Sequence, residues 1–170
     1  MAEPDEVPPE EEPALIHGAV SSLSRGQLVV YPHRSEYLDM VGSLYDDGYR
    51  MCVDLTGVDY LLAVNHPVPA GVTPERFEVA VNLLSTEFRR RIRVRVQIPE
   101  ADPQLPSIFP LHPGTAAMER ETYDMFGIVF TGHPDLPRIL MPDDCEGHPL
   151  RKDFRIGRIP VQFKGAPAPR

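Results

Sequence analysis

Tryptophan is absent from this 170-residue chain, cysteine occurs only twice, and no apolar run is long. Each shortage excludes something. An iron–sulfur cluster draws on about four thiolates, and a disulfide scaffold would use more cysteines than two. Cys52 and Cys145 lie far apart and outside any C-x-x-C spacing, so the chain is predicted to hold no cluster by itself. Cys52 reads as a small core residue. A bilayer span needs ~20 consecutive apolar residues, and none is present. The N-terminus is acidic where a secretory leader would be basic and then apolar. The reading is therefore a cytoplasmic protein that meets a membrane only through a partner. Gly-rich phosphate loops, nucleophile elbows and dinucleotide fingerprints are also missing.

What is present is unevenly placed. The net charge is −8, and Glu3, Asp5, Glu6, Glu10, Glu11 and Glu12 crowd into the first 13 residues with four prolines. That stretch has too little apolar material to order itself, so residues 1–13 read as a disordered acidic tail. Residues 157–170 are Pro/Gly-rich and read as an extended tail. Between them, 14–156 is large enough for one domain with one core.

Along that domain, Ala14 to Arg25 places Leu15, Ile16, Ala19, Val20 and Leu23 on one helical face, with Gly26 as a stop. Gln27 to Tyr31 reads as a strand. Ser35 caps a second predicted helix, with Tyr37, Leu38, Val41, Leu44 and Tyr45 at core spacing and Gly48 near its end. The centre reads as a β-meander. Met51, Val53 and Leu55 alternate with polar neighbours, as do Phe77, Val79, Val81 and Leu83. In 91–98, Ile92, Val94, Val96 and Ile98 oppose Arg91, Arg93, Arg95 and Gln97, a half-buried strand with one wet face. Thr115 caps a third predicted helix, which ends at Gly127, a position suited to a left-handed residue, with Ile128 beyond. The sum is an α+β fold: helices on one face of an antiparallel sheet, followed by a rigid, irregular C-terminal docking segment.

Several constellations carry polar chemistry. Arg120 and Asp124 lie four apart on the third helix and are predicted to pair along it. Glu119 and Glu121 suggest acid–base work, but residues two apart on a helix diverge, which favours local ion pairing. His133, Cys145 and His148, with Asp143 and Asp144, are residue types zinc accepts, yet their spacing matches no closed site. Both histidines sit in Gly-His-Pro turns, where a ring can lock the turn against backbone. Arg91, Arg93 and Arg95 face Glu78 across the sheet, and the acidic total argues against nucleic acid. Arg138, Arg151, Lys152, Arg155 and Arg158 form a basic terminus suited to an acidic protein partner.

The run Glu119-Arg120-Glu121-Thr122-Tyr123-Asp124-Met125-Phe126-Gly127-Ile128, then Gly132-His133-Pro134, Arg138-Ile139-Leu140-Met141-Pro142-Asp143-Asp144 and Gly147-His148-Pro149-Leu150-Arg151-Lys152-Asp153, resembles the C-subunit family of the proton-pumping NADH–quinone oxidoreductase, respiratory complex I. Leu55-Thr56-Gly57-Val58-Asp59-Tyr60 fits more loosely. The resemblance implies a non-catalytic subunit of the hydrophilic arm, peripheral on the cytoplasmic side of the membrane, with no cofactor of its own. Iron–sulfur clusters, FMN, NADH and quinone would be bound by other subunits. It would brace the quinone-reducing module against subunits D, B and I. The interface it implies comprises Glu119, Arg120, Glu121, Asp124, Phe126, Gly127, His133, Pro134, Arg138, Asp143, Asp144, Gly147, His148, Pro149, Arg151, Lys152 and Asp153. The signature also occurs in membrane-bound hydrogenases and in ferredoxin- or deazaflavin-dependent relatives, so the electron donor stays open. A stand-alone metal-binding enzyme is the remaining alternative.

Overall fold

The first strands of the chain are set by two tight turns, visible in a computed structural model that describes residues 14–155. The tails expected at 1–13 and 157–170 lie outside the described residues. Leu15–Ile16 (β1) and Ala19–Ser24 (β2) pair antiparallel around His17 and Gly18, both at positive φ. β2 then pairs with Gln27–Tyr31 (β3) around Arg25 and Gly26, again both at positive φ. Two consecutive positive-φ residues give the turn whose twist matches a hairpin. The helix expected over Ala14 to Arg25 is therefore two strands. An i, i+3/i+4 apolar pattern interrupted by His-Gly and Arg-Gly yields to turn chemistry.

After β3, one turn of 3-10 helix (Arg34–Glu36) leads into α1, Tyr37–Asp46. The cap is the His33 ring, which accepts from the Ser35 amide; Ser35 does not cap the helix itself. The buried face is Tyr37, Met40, Val41 and Leu44, while Leu38 is turned toward solvent. Met51–Asp59 (β4), Phe77–Ser85 (β5) and Arg90–Ile98 (β6) form the expected meander. A bulge between Cys52 and Asp54 reverses which side of β4 faces inward. Met51 and Val53 are consequently exposed, Cys52 packs partly against the core, and Leu55 is buried. One extra residue in one strand shifts the two-residue period to the other face.

The six strands run β1-β2-β3-β6-β5-β4, antiparallel except for the β3·β6 pair. Gln104–Pro106 (β7) and Val129–Thr131 (β8) form a small parallel pair beside it. The second helix, α2 (Ala116–Phe126), follows a 3-10 turn over Pro113–Thr115. Thr115 does not cap it by its side chain, and its hydroxyl donates instead to the His112 carbonyl. α2 lies on the core side of β4, where Phe126 covers Gly57 so closely that a Cβ there would sit 2.7 Å from the ring. The apolar residues of β5 and β6 meet α1 and α2 in one core.

The opposite sheet face is less wet than its arginines suggest. Glu78 is only 2% exposed and accepts from Arg95 Nε at 2.7 Å and Gln97 Nε2 at 2.5 Å. Tyr60 and His66 stack over this carboxylate with ring centroids 3.5 Å apart. The predicted Glu78–arginine pairing is real, but it is roofed by the loop after β4. Burial raises the cost of leaving such a carboxylate unpaired.

Candidate functional site: a C-terminal strap clamped to the helix end

An α-helix leaves its last carbonyls without partners, and the final third of this chain supplies them. Gly127 ends α2 at φ 73, the left-handed conformation predicted for it. The carbonyl of Asp124 accepts from His148 Nδ1 at 2.9 Å, that of Met125 from the Leu150 amide at 3.0 Å, and that of Phe126 from Arg151 Nε at 2.6 Å. A Cβ on Gly127 would lie 2.6 Å from the His148 ring and 2.7 Å from Arg151. Glycine is needed here twice over, for its backbone angle and for the space the strap occupies.

The Asp124 side chain holds the other half of the strap. One carboxylate oxygen accepts from Arg138 Nη1 at 2.8 Å; the other accepts the amides of Ile139, Leu140 and Met141 at 3.1, 2.8 and 2.8 Å. Arg138 continues to the Gly147 carbonyl at 2.9 Å, tying the two parts together. Asp124 is fully buried. Burial alone would raise its pKa, but the three amides and the guanidinium outweigh that and hold it below the usual aspartate range. The pairing expected between Arg120 and Asp124 along the helix is not formed. Arg120 reaches instead to the carbonyls of Pro137 and Arg138 at 3.2 and 3.1 Å. A site with four convergent donors fourteen to seventeen residues downstream satisfies the carboxylate better than one exposed i, i+4 partner.

A second carboxylate anchors the strap's far end. Asp59, at the end of β4, accepts the Lys152 amide at 2.8 Å, the Leu61 amide at 2.9 Å and two nitrogens of Arg76 at 3.0 and 3.2 Å. Arg76 also pairs with Asp153 at 2.8 Å. The guanidinia of Arg76 and Arg151 lie 4.7 and 5.0 Å from the Phe77 ring centre, a cation–π arrangement. Burial opposes ionisation of Asp59, yet Arg76 and the two amides pull its pKa down. These anchors, Asp59 and Arg76, carry no periodic signal toward partners as far as 93 residues away.

Glu119 is a third buried carboxylate with a different environment. It accepts from Ser107 Oγ at 2.6 Å and the Ile108 amide at 2.9 Å, with Thr115 Oγ1 at 3.4 Å. Burial dominates here and raises its pKa, against those hydrogen bonds and the nearby His133. Local ion pairing on a helix surface does not describe it. His133 locks its turn as expected, its Nδ1 accepting from the Asp135 amide at 3.1 Å while Nε2 donates to the Ala116 carbonyl at 3.2 Å. That pattern assigns the proton to Nε2. His148 differs: its ring caps the helix, and burial together with Arg151 and Arg138 pushes its pKa down. The two histidines thus serve separate backbone tasks.

The remaining predicted residues divide cleanly. Glu121, Pro134, Asp143, Asp144, Gly147, Lys152 and Asp153 are exposed, and Pro149 is half-buried. Arg138 and Arg151, expected to greet an acidic partner, are directed inward to Asp124 and to the helix end. Glu119 and Asp124 expose nothing, so their polar atoms hold the chain together internally. The strap also displays apolar side chains that no periodic pattern marks: Ile139, Leu140 and Leu150. No group of three or more His, Cys, Asp and Glu is arranged to hold a metal among the described residues.

An α+β domain whose charged residues fasten its own C-terminal strap is a recognisable class. The chain belongs to the family described as the respiratory-chain NADH dehydrogenase 30 Kd subunit, which matches residues 30–159. It is 48% identical to the C subunit of NADH-quinone oxidoreductase from Roseiflexus castenholzii, over 84% of this chain and 78% of that protein. It is 45% identical to the corresponding protein of Saccharopolyspora erythraea, over 87% of this chain but 57% of that protein. The chain thus spans little more than half the length of that relative. A solved trypsin-resistant fragment of Nqo5 superposes with TM-score 0.62 at 36% identity, covering 71% of this chain and 91% of the fragment. A chain of the membrane-bound sulfane sulfur reductase, an archaeal respiratory membrane complex, shares the fold at TM-score 0.67 and 21% identity, covering 81% and 78%. No helix among the described residues is long and apolar enough to cross a membrane.

Proposed function

We propose that this chain is a structural subunit of the peripheral arm of a proton-translocating NADH–quinone oxidoreductase. In this reading it braces the quinone-reducing module while electrons pass through neighbouring subunits, which carry the iron–sulfur clusters, FMN, NADH and quinone. The observation that carries the reading is the clamped strap. Asp124 and Asp59 fix a loop-rich segment with main-chain hydrogen bonds, and such a segment, held rigid, presents a pre-organised surface to a partner. Its outward side offers Ile139, Leu140 and Leu150 beside Glu121, Asp143, Asp144 and Lys152, an apolar centre with a charged rim as protein interfaces have. Subunits D, B and I are the proposed partners, on the cytoplasmic side of the membrane. Catalytic residues are assigned to those neighbours and none to this chain.

Affinity purification of the chain from gently solubilised membranes tests the proposal. Subunits D, B and I together with the NADH-oxidising subunits should copurify. Recovery with a nickel-bearing hydrogenase subunit instead, or as an unaccompanied monomer, would overturn it.

A further inference from the structure

Two hairpin turns meet at the end of the sheet opposite the strap, and their alignment gathers positive charge there. β2 and β3 join through Arg25–Gly26, β5 and β6 join through residues 86–89, and β3 runs parallel to β6 with Leu28 beside Ile92. Two antiparallel hairpins set parallel in this way hold their turns side by side. Arg25 and Arg89, three residues before that pair, occupy matching positions in the turns, both at φ 52. Arg90 and Arg91 follow where β6 begins. The strap anchor Asp59 lies at the other end of the strands, beside Phe77 and Ile98. From Arg90 to Ile98 the strand spans about 26 Å at about 3.3 Å per residue, so the two ends are separate surfaces.

The turns and the segment after α1 enclose a cleft of about 490 Å³ whose lining includes Arg25, Arg89, Arg90, Leu23, Leu28 and Tyr49, and no carboxylate. Farther along β6 the arginines have partners: Arg93 donates to Asn82 at 2.9 Å and Arg95 to Glu78 at 2.7 Å. Arg25, Arg89, Arg90 and Arg91 are exposed and make no salt bridge among the described residues, and neither does Glu87 in the turn of Arg89. Guanidinia gathered without a counter-charge repel one another and draw anions. The floor between them is apolar. Leu23 pairs with Leu28 and Leu28 with Ile92, so both leucines and Arg90, two residues before Ile92, share the core-facing side of the sheet. Leu23 is nevertheless 76% exposed. Tyr49 walls one side, its amide held by the Leu44 carbonyl at 3.0 Å.

We propose that this cleft is a second docking site, which takes an acidic segment of a partner protein whose carboxylates flank an apolar side chain. The carboxylates meet the guanidinia, whose planar forks bind such groups in bidentate fashion. The apolar side chain covers Leu23 and Leu28 beside Tyr49. The floor decides the class of partner. A bare phosphate would satisfy the arginines and leave Leu23 in water, whereas an acidic peptide with an apolar anchor covers both. Arginine and tyrosine are also the side chains on which protein interfaces most often depend. The cleft acts independently of whatever the strap holds at the other end of the sheet.

Titration of the full-length, isotope-labelled chain with the synthetic peptide acetyl-Glu-Glu-Leu-Glu-Glu-amide tests it. The peptide should shift the Arg25 and Arg90 side-chain resonances together with the Leu23 and Leu28 methyls, and its affinity should fall at least about tenfold between about 0.01 M and 1 M salt. Joint Arg25→Gln and Arg90→Gln substitution should weaken it roughly tenfold while the amide spectrum of β5 and β6 stays unchanged. Glycine in place of the peptide's leucine should weaken it at least about threefold. Inorganic phosphate and phosphatidylglycerol vesicles should each bind more weakly than the peptide. In membranes, a photoreactive residue in place of Gln27, which also lines the cleft, should crosslink to a stretch of another polypeptide in which acidic residues flank an apolar one. Equal affinity for the leucine and glycine peptides, tighter binding of phosphate or vesicles, or a peptide that leaves these resonances unmoved would overturn the proposal. A crosslink confined to this chain or to lipid would overturn it equally.

Discussion

Asp124→Asn is the sharpest perturbation the structure offers. The substitution keeps the shape of the side chain but removes its charge and replaces one acceptor oxygen with a donor. Four donors converge on that carboxylate: Arg138 and the amides of Ile139, Leu140 and Met141. Because the three amides share one oxygen and Arg138 takes the other, either the amides or Arg138 is left facing an NH₂ group in a fully buried position, and Arg138 loses its counter-charge in both cases. Hydrogen bonds to charged groups contribute about 1.5–3 kcal/mol each, and breaking a buried pair costs about 3–5 kcal/mol. Taken as one coupled site, the loss is about 3–5 kcal/mol, or roughly a hundred- to several-thousandfold in the opening equilibrium of the strap. Amide exchange at 139–141 should accelerate by that factor, and trypsin should cut faster at Arg138, Arg151 and Lys152. Exchange in β5 and β6 should change much less, because their amides are held by their own continuous strand pairing, although Arg151 of the strap touches β5 at Phe77. Unchanged protection at 139–141, or uniform loss across the sheet, would refute the reasoning.

Arg120→Ala removes two hydrogen bonds to carbonyls from a half-exposed guanidinium and should cost only about 1 kcal/mol by chemical denaturation, with Asp124 still fully partnered. A loss as large as that of Asp124→Asn would restore the helix-surface pairing. Gly127→Ala meets a left-handed backbone penalty of about 1–2 kcal/mol and displaces His148 and Arg151; thermal melts should show a drop of several degrees and exchange should rise at Leu150. For pH, Asp124 and Asp59 have lowered folded-state pKa values, so their stabilisation is complete above the ordinary aspartate range and disappears as pH falls through the depressed values. Strap protection should hold at neutral pH and collapse in strong acid. Glu119 behaves oppositely: its raised pKa means that ionisation weakens the fold as pH rises beyond the ordinary glutamate range. Melting temperatures of Glu119→Gln relative to wild type should therefore climb with pH through that window, and a flat difference would count against the assignment.

Where the polar pattern is periodic and local, the sequence is readable. The β5 and β6 alternation, the α1 face around Val41 and Leu44, and Gly127 as a helix stop all follow from single-element rules. Ala14 to Arg25 defeats those rules because its apolar spacing suits a helix, whereas His17-Gly18 and Arg25-Gly26 adopt paired positive-φ turns. The β4 bulge is invisible in the sequence because one extra residue reverses sidedness without altering composition. In the site, the density of charge between Glu119 and Asp153 marks the right segment, but not its wiring. Asp124 finds Arg138 and Asp59 finds Lys152 through tertiary contact, and a rule limited to i, i+4 neighbours assigns Asp124 to Arg120 instead. Equally, nothing in the spacing of Glu119 reveals that Ser107 and Ile108 enclose it.

In the proposed role the strap acts by shape, holding an assembly together without joining its chemistry. The most direct measurement compares Asp124→Asn with wild type in membranes, scoring both the amount of assembled oxidoreductase and its NADH–quinone turnover per assembled complex. The account predicts a marked fall in assembled complex with turnover per complex unchanged. Full assembly with turnover abolished would contradict it.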